Sequence, residues 1–112
     1  MEDLLSRNNL GLKDLQAFHK QLDQEKSFDQ DIFRNVAYLT GEIGEMVSAI
    51  RKLRQTKDLQ EEMTAREHVA DEIADCLAYI VKLANYAEVD LHEAYLNKMR
   101  RNLNREWHPK IR

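Results

Sequence analysis

The sequence predicts an all-α protein, a four-helix bundle-like protomer that assembles into a homo-oligomer. Three observations carry this. Apolar residues recur at helical spacing along almost the whole chain. One Pro and three Gly in 112 residues leave few places where a helix must stop, and charged residues make up 33% of the chain, as expected of solvated helix faces. Finally, a chain this short builds only a modest core, so association with further copies is the expected source of additional burial.

The elements follow in order. Residues 1–10 form a peripheral lead-in. A first helix over residues 11–26 turns Leu12, Leu15, Phe18 and Leu22 inward, and the polar connection 27–31 carries Phe28. A second helix spans 32–55, with an apolar stripe of Ile32, Val36, Leu39, Ile43, Met46, Ile50 and Leu53. The charged stretch 56–63 is read as the connection, and Thr64 to Glu67 as a capping box opening a third helix that runs to about residue 87. Its stripe is Val69, Ile73, Cys76, Ile80, Leu83 and Ala87. Asp90 to Glu93 reads as a second capping box, opening a fourth helix with Leu91, Tyr95, Met99 and Leu103 inward. The tail 106–112, with Trp107 and Pro109, leaves that helix. The whole is one domain over residues 1–112, without internal repeat or low-complexity tract.

Composition narrows the function classes. A net charge of −3 argues against a nucleic-acid polymer as partner. No run is long enough for a transmembrane helix, and the start Met-Glu-Asp-Leu-Leu lacks the regions of a signal peptide, so no membrane partner and a cytoplasmic location are expected. The single Cys76 lies on an apolar stripe and reads as a core residue. His19, His68, His92 and His108 share no ligand spacing, which argues against zinc.

The chemistry is concentrated in two acidic steps, Glu42-Ile43-Gly44-Glu45 and Glu72-Ile73-Ala74-Asp75. At about 100° per residue, each pair lies along the edge of its helix's apolar stripe, in equivalent phase. The pairs are also roughly equidistant from the predicted turn, so an antiparallel hairpin brings them face to face. None of the four acids has a Lys or Arg three or four residues away. Unneutralised carboxylates gathered near an apolar surface repel one another and resist desolvation, so a cation is expected between them. Hard oxygen ligands suit Mg²⁺, with Mn²⁺ as a substitute. Gly41 and Gly44, in mid-helix, suggest close approach by a neighbouring backbone or ligand. A carboxylate-bridged di-iron bundle would need Glu-x-x-His steps, which neither acidic step supplies.

Helix four carries a complementary strip, Lys98, Arg101, Asn102 and Arg105, at i, i+3, i+4 and i+7. Beside a metal-binding cluster such a strip suits phosphate oxygens.

With these residues in place, the sequence resembles the MazG-like all-α nucleoside triphosphate pyrophosphohydrolases. Their signature of Glu-Glu-x-x-Glu followed by Glu-x-x-Asp is matched by Gly41 to Glu45 and Glu72 to Asp75, with Gly41 in place of the first Glu. That departure is similar to the dCTP pyrophosphatase branch, as are the Asp75-x-x-x-Tyr79 step and the segment containing Lys98, Met99, Asn102 and Arg105. The resemblance implies hydrolysis of a nucleoside triphosphate to monophosphate and pyrophosphate, in a homodimer or homotetramer. It implies Mg²⁺ on Glu42, Glu45, Glu72 and Asp75 and phosphate contacts from Lys98, Asn102 and Arg105, to which the basic strip adds Arg101; Glu42 and Glu45 are the candidate catalytic residues, with Glu42 chosen as base. Candidate base-binding aromatics are Phe28, Tyr79 and Trp107; the branch's Trp after its second motif Glu has no counterpart at Ile50 to Leu53. The competing reading is a non-catalytic helical oligomerisation or partner-binding module.

Overall fold

A computed structural model describes residues 2–105, and Trp107, His108 and Pro109 lie outside the described residues. The described residues are all-α: α1 (Glu2–Leu5), α2 (Leu12–Lys26), α3 (Ile32–Arg54), α4 (Leu59–Tyr86) and α5 (Leu91–Leu103). The four long helices match the four expected, and the lead-in adds the single turn α1.

Local signals explain most boundaries. Gly11 precedes α2, its N–H donating to the Asp14 carboxylate at 2.9 Å. Ser27 ends α2 in the left-handed region (φ 53°), which turns the chain into the Phe28 loop. Asp31 and Asp90 cap α3 and α5, accepting from the Arg34 and Glu93 N–H groups. One boundary differs from the sequence reading. The cap of α4 is Asp58, which accepts from the Glu61 N–H at 2.8 Å, while Thr64 sits inside the helix. The first turns of α4 are exposed and so lack the apolar periodicity that would have marked them.

The chief packing is the antiparallel hairpin of α3 and α4; α2 lies against α4, and α5 against α2. Gln16 ties the last junction together: its amide donates to Asn85 Oδ1 (3.0 Å) and Val89 O (2.8 Å) and accepts from the Leu91 N–H (3.0 Å). No residue of α5 is buried; of the stripe assigned inward there Leu91 is half-buried, while Tyr95, Met99 and Leu103 are exposed. The four long helices therefore do not close around one shared core.

The hairpin seam also departs from the predicted stripes. It is lined by Asn35, Leu39, Glu42, Met46, Ala49 and Leu53 on α3 and by Ala65, Val69, Glu72, Cys76 and Leu83 on α4, all buried or half-buried. Glu42 and Glu72 thus stand on the seam itself. The β-branched residues assigned to the core, Ile32, Val36, Ile43 and Ile50 on α3 and Ile73 and Ile80 on α4, are exposed, as are Val47 and Leu77. Helical phase puts Ile43, Val47, Ile50, Ile73, Leu77 and Ile80 on one flank of the hairpin. Tyr38, Glu45, Asp75, Tyr79 and Lys82 fall toward the other.

Among the described residues the buried apolar ones are Ala49, Cys76, Val81 and Ala84, a small core. The radius of gyration is 16.9 Å. A compact domain of this length has about 13 Å.

The close approach expected at Gly41 and Gly44 is not found within the chain, since a Cβ built on either meets nothing within 4 Å. Both sit inside a helix without any need for a missing side chain. Gly44→Ala should therefore stabilise the protein by up to about 1 kcal/mol, the helix-propensity difference, read as a raised midpoint in urea denaturation.

Candidate metal centre and adjoining aromatic pocket

The seam of α3 and α4 brings Glu42, Glu45 and Glu72 together, with one carboxylate oxygen from each lying within 4.8 Å of the others. Asp75, one turn beyond Glu72, lines a cavity beside Glu42. This arrangement follows from the true start of α4. With the tip at residues 55–58, Glu42 lies opposite Glu72, and Asp75 falls further from the tip than either member of the α3 pair.

Two oxygens of the cluster, Glu42 Oε2 and Glu72 Oε2, are buried without a hydrogen-bond partner. Buried polar atoms are ordinarily satisfied, and an unpaired buried carboxylate oxygen is costly. The donor set is oxygen only, which fits a hard divalent cation. The His68 imidazole approaches the other Glu72 oxygen, with Nε2 at 3.2 Å from Oε1. Burial pushes the Glu42 carboxyl above its ordinary value, reinforced by the charges of Glu45, Asp75 and Glu72. Beneath them the buried Cys76 thiol is also pushed up, first by burial and then by Glu42, Glu72 and Asp75. It is held in the unreactive protonated form.

The Glu42 shift has a testable sign. Without a cation, the folded protein binds a proton at Glu42 more tightly than the unfolded chain does. The stability this contributes is complete below the ordinary value of 4.5 and is lost as pH rises through the higher folded value. Thermal melts of the metal-free protein should fall with rising pH relative to Glu42→Gln, and Mg²⁺ should close the gap by taking the proton's place.

Toward the α2 end the acidic cluster opens onto two adjoining cavities. One, of about 240 Å³, is lined by His19, Leu22, Phe28, Glu42, Asp75, Ala78, Tyr79 and Lys82. The other, of about 260 Å³, adds Asp29, Asn35 and Tyr38 and shares Phe28, Tyr79 and Lys82. Phe28 is carried by a loop that is firmly tied. The buried Asn35 amide donates to the Asp29 and Asp31 carbonyls, both at 2.8 Å, and Arg34 pairs with the Asp29 carboxylate. The Arg34 guanidinium, with the Asp31 N–H, holds the Asp29 carboxyl down at about 2. Tyr79 meets Tyr38 ring to ring at 6.1 Å, and burial beside Glu42, Tyr38 and Asp75 keeps its hydroxyl protonated.

Of the predicted site residues, Glu42, Glu45, Glu72, Asp75, Phe28 and Tyr79 thus gather in one region. Lys98, Arg101 and Asn102 lie on α5, which packs on α2, and Arg105 lies just past its end; none of the four lines either cavity. Sequence reasoning did not single out the polar pocket residues His19, Asp29, Asn35, Tyr38 and Lys82. His19 and Asn35 carry no motif, but Lys82 had a signal: it is the only charge in the apolar run from Cys76 to Ala84.

A two-helix hairpin with three clustered carboxylates and an aromatic pocket at its side defines a class. Residues 30–108 match the MazG nucleotide pyrophosphohydrolase domain, and the chain belongs to that family. This is the family that the two acidic steps resemble. The chain is similar to dCTP pyrophosphatase 1 of Mus musculus, with 31% identity over 102 residues that cover 88% of this chain and 59% of that protein. The chain therefore spans less than two thirds of the length of this relative. Among the described residues, no helix is long and apolar enough to cross a membrane.

Proposed function

We propose that the protein is a Mg²⁺-dependent nucleoside triphosphate pyrophosphohydrolase that releases a monophosphate and pyrophosphate, a reaction suited to cleaning nucleotide pools. The observation that carries this is the pair of unpartnered buried oxygens on Glu42 and Glu72, set beside a pocket walled by Phe28 and Tyr79. A cation gives those oxygens a partner, and an aromatic wall gives a base a stacking surface.

Glu42, Glu45, Glu72 and Asp75 would hold the metal. When bound, Mg²⁺ supplies charge neutralisation and a more acidic water. Glu42, half-buried and with raised proton affinity, would accept a proton from the attacking water as its oxygen adds to phosphorus and the bond between the α and β phosphoryl groups breaks. Glu45, exposed at the rim, orients the water. Lys98, Arg101, Asn102 and Arg105 are assigned to phosphate oxygens on the strength of their strip and the family resemblance. Phe28, Tyr79 and Trp107 are the aromatic residues assigned to the base.

The working unit in this reading is a homodimer or homotetramer joined through the apolar flank of the hairpin. The accessible surface of 8748 Å² supports it, because a compact monomer of 13.2 kDa presents about 6,400 Å². The excess is larger than the roughly 800 Å² that each partner contributes to a standard interface. The test of function is pyrophosphate release from a panel of ribo- and deoxyribonucleoside triphosphates with Mg²⁺ or Mn²⁺, with Glu45→Gln as the blank. Silence across the panel together with no metal-dependent rise in Tm would favour a non-catalytic helical module.

A further inference from the structure

We propose that Lys82 sets the base preference of the site, selecting bases that present a keto oxygen beside a ring N–H and rejecting those with an amino group there. The inference rests on the nucleotide reading above. Lys82 lies seven residues beyond Asp75 on α4, about 10 Å along the helix axis, at the end of the cavity away from the acidic cluster. With phosphates at the metal, this end belongs to the base.

The ammonium is held in place. Its Nζ stands 5.1 Å from the Phe28 ring centroid and 5.2 Å from that of Tyr79, between the two aromatic walls. The side chain is only 13% exposed and pairs at 3.5 Å with Asp23, itself 3% exposed. The Tyr86 hydroxyl donates to the other Asp23 oxygen at 2.5 Å, fixing the carboxylate that anchors the lysine. A base that enters the cavity from the side of the acidic cluster would meet Nζ with its edge.

An ammonium has three donors and no acceptor. It bonds a carbonyl oxygen, whereas an exocyclic amino group confronts it with another donor and leaves both desolvated and unpaired. The same cavity contains His19, whose Nδ1 is buried without a partner. Burial holds the His19 imidazole below its ordinary value, so the ring is neutral and Nδ1 can accept. A donor on Lys82 and an acceptor on His19 match the O=C–N–H edge of uracil, thymine or hypoxanthine. Cytosine and adenine present the reverse pattern. Asp23 and Tyr86 act as positioning residues for Lys82.

The test uses triphosphate pairs that differ only in this edge, dUTP against dCTP and dITP against dATP, with the full chain and Mg²⁺. The keto member of each pair should have a kcat/KM about tenfold higher or more, as expected where a site is built to hydrogen-bond its ligand. Lys82→Met should flatten both ratios. The double variant Asp23→Asn with Lys82→Met removes the buried pair together and keeps the readout if the single variant fails to fold. Preference for the amino members, or ratios unchanged in the variants, overturns the assignment. Binding of the α,β-imido analogues of dUTP and dCTP separates the two readings. A uracil preference in binding without hydrolysis of any triphosphate sinks the hydrolase and leaves Lys82 its role; hydrolysis with no base preference does the opposite.

Discussion

Glu45→Gln should lower pyrophosphate release by about a hundredfold or more, because even outer partners of metal ligands typically cost 10–100-fold when lost. The same substitution should abolish the rise in Tm on adding Mg²⁺, since a ligand that binds only the folded state stabilises it by mass action. The metal-free protein should melt no lower than wild type. Glu45 is exposed, and it is the largest electrostatic contributor to the raised proton affinity of Glu42. Removing its charge relieves repulsion without opening a cavity. Glu72→Gln should share the catalytic loss, with one difference: Glu72 is almost fully buried and lies against His68, so its replacement also disturbs the seam. Full Mg²⁺-dependent turnover in Glu45→Gln would remove the carboxylate cluster from the mechanism.

The second large effect concerns assembly. Sedimentation velocity should find the wild-type protein at a multiple of 13.2 kDa, and Ile43→Asp with Ile73→Asp should shift it to the monomer. Within the protomer these side chains are 42% and 50% exposed, so an aspartate at either costs the isolated fold little. Between copies, each would be a buried and unpaired charge, which costs several kcal/mol by typical magnitudes. The contrast between a mild effect on folding and a severe one on association is what identifies an interface. A wild-type monomer at micromolar concentration would end this proposal.

Helices, their order and most of their ends were legible in the sequence because period and capping residues are local signals. The acidic pairs were legible for a related reason: i, i+3 spacing survives any tertiary arrangement. What could not be read was which flank turns inward. A stripe drawn through Ile32, Val36, Ile43 and Ile50 assumes that the bulkiest apolar residues face the chain's own core, but here they are exposed. The seam keeps the expected Leu39, Met46, Val69, Cys76 and Leu83 but adds Asn35 and Ala49, whose modest size suits close helix contact, and Glu42 and Glu72, whose carboxylates would not be placed there on hydropathy alone. A single sequence does not distinguish apolar surface reserved for a second copy from apolar surface reserved for itself. The pocket was half legible. Phe28 and Tyr79 stood out as aromatics near the motifs, whereas His19, Asn35 and Lys82 meet them through contacts made by the fold.

The hairpin tip at residues 55–58 has a consequence for how the chain tolerates change in length. One residue inserted between the tip and Glu45, or between the tip and Glu72, would rotate everything beyond it by about 100° and carry a carboxylate pair off the seam. Extra residues within the tip itself leave both helices in phase, and the entropic cost of a longer flexible loop grows only logarithmically. Variation in length should therefore collect at this one connection, while the spacing from the tip to each acidic step stays constant in whole helical turns.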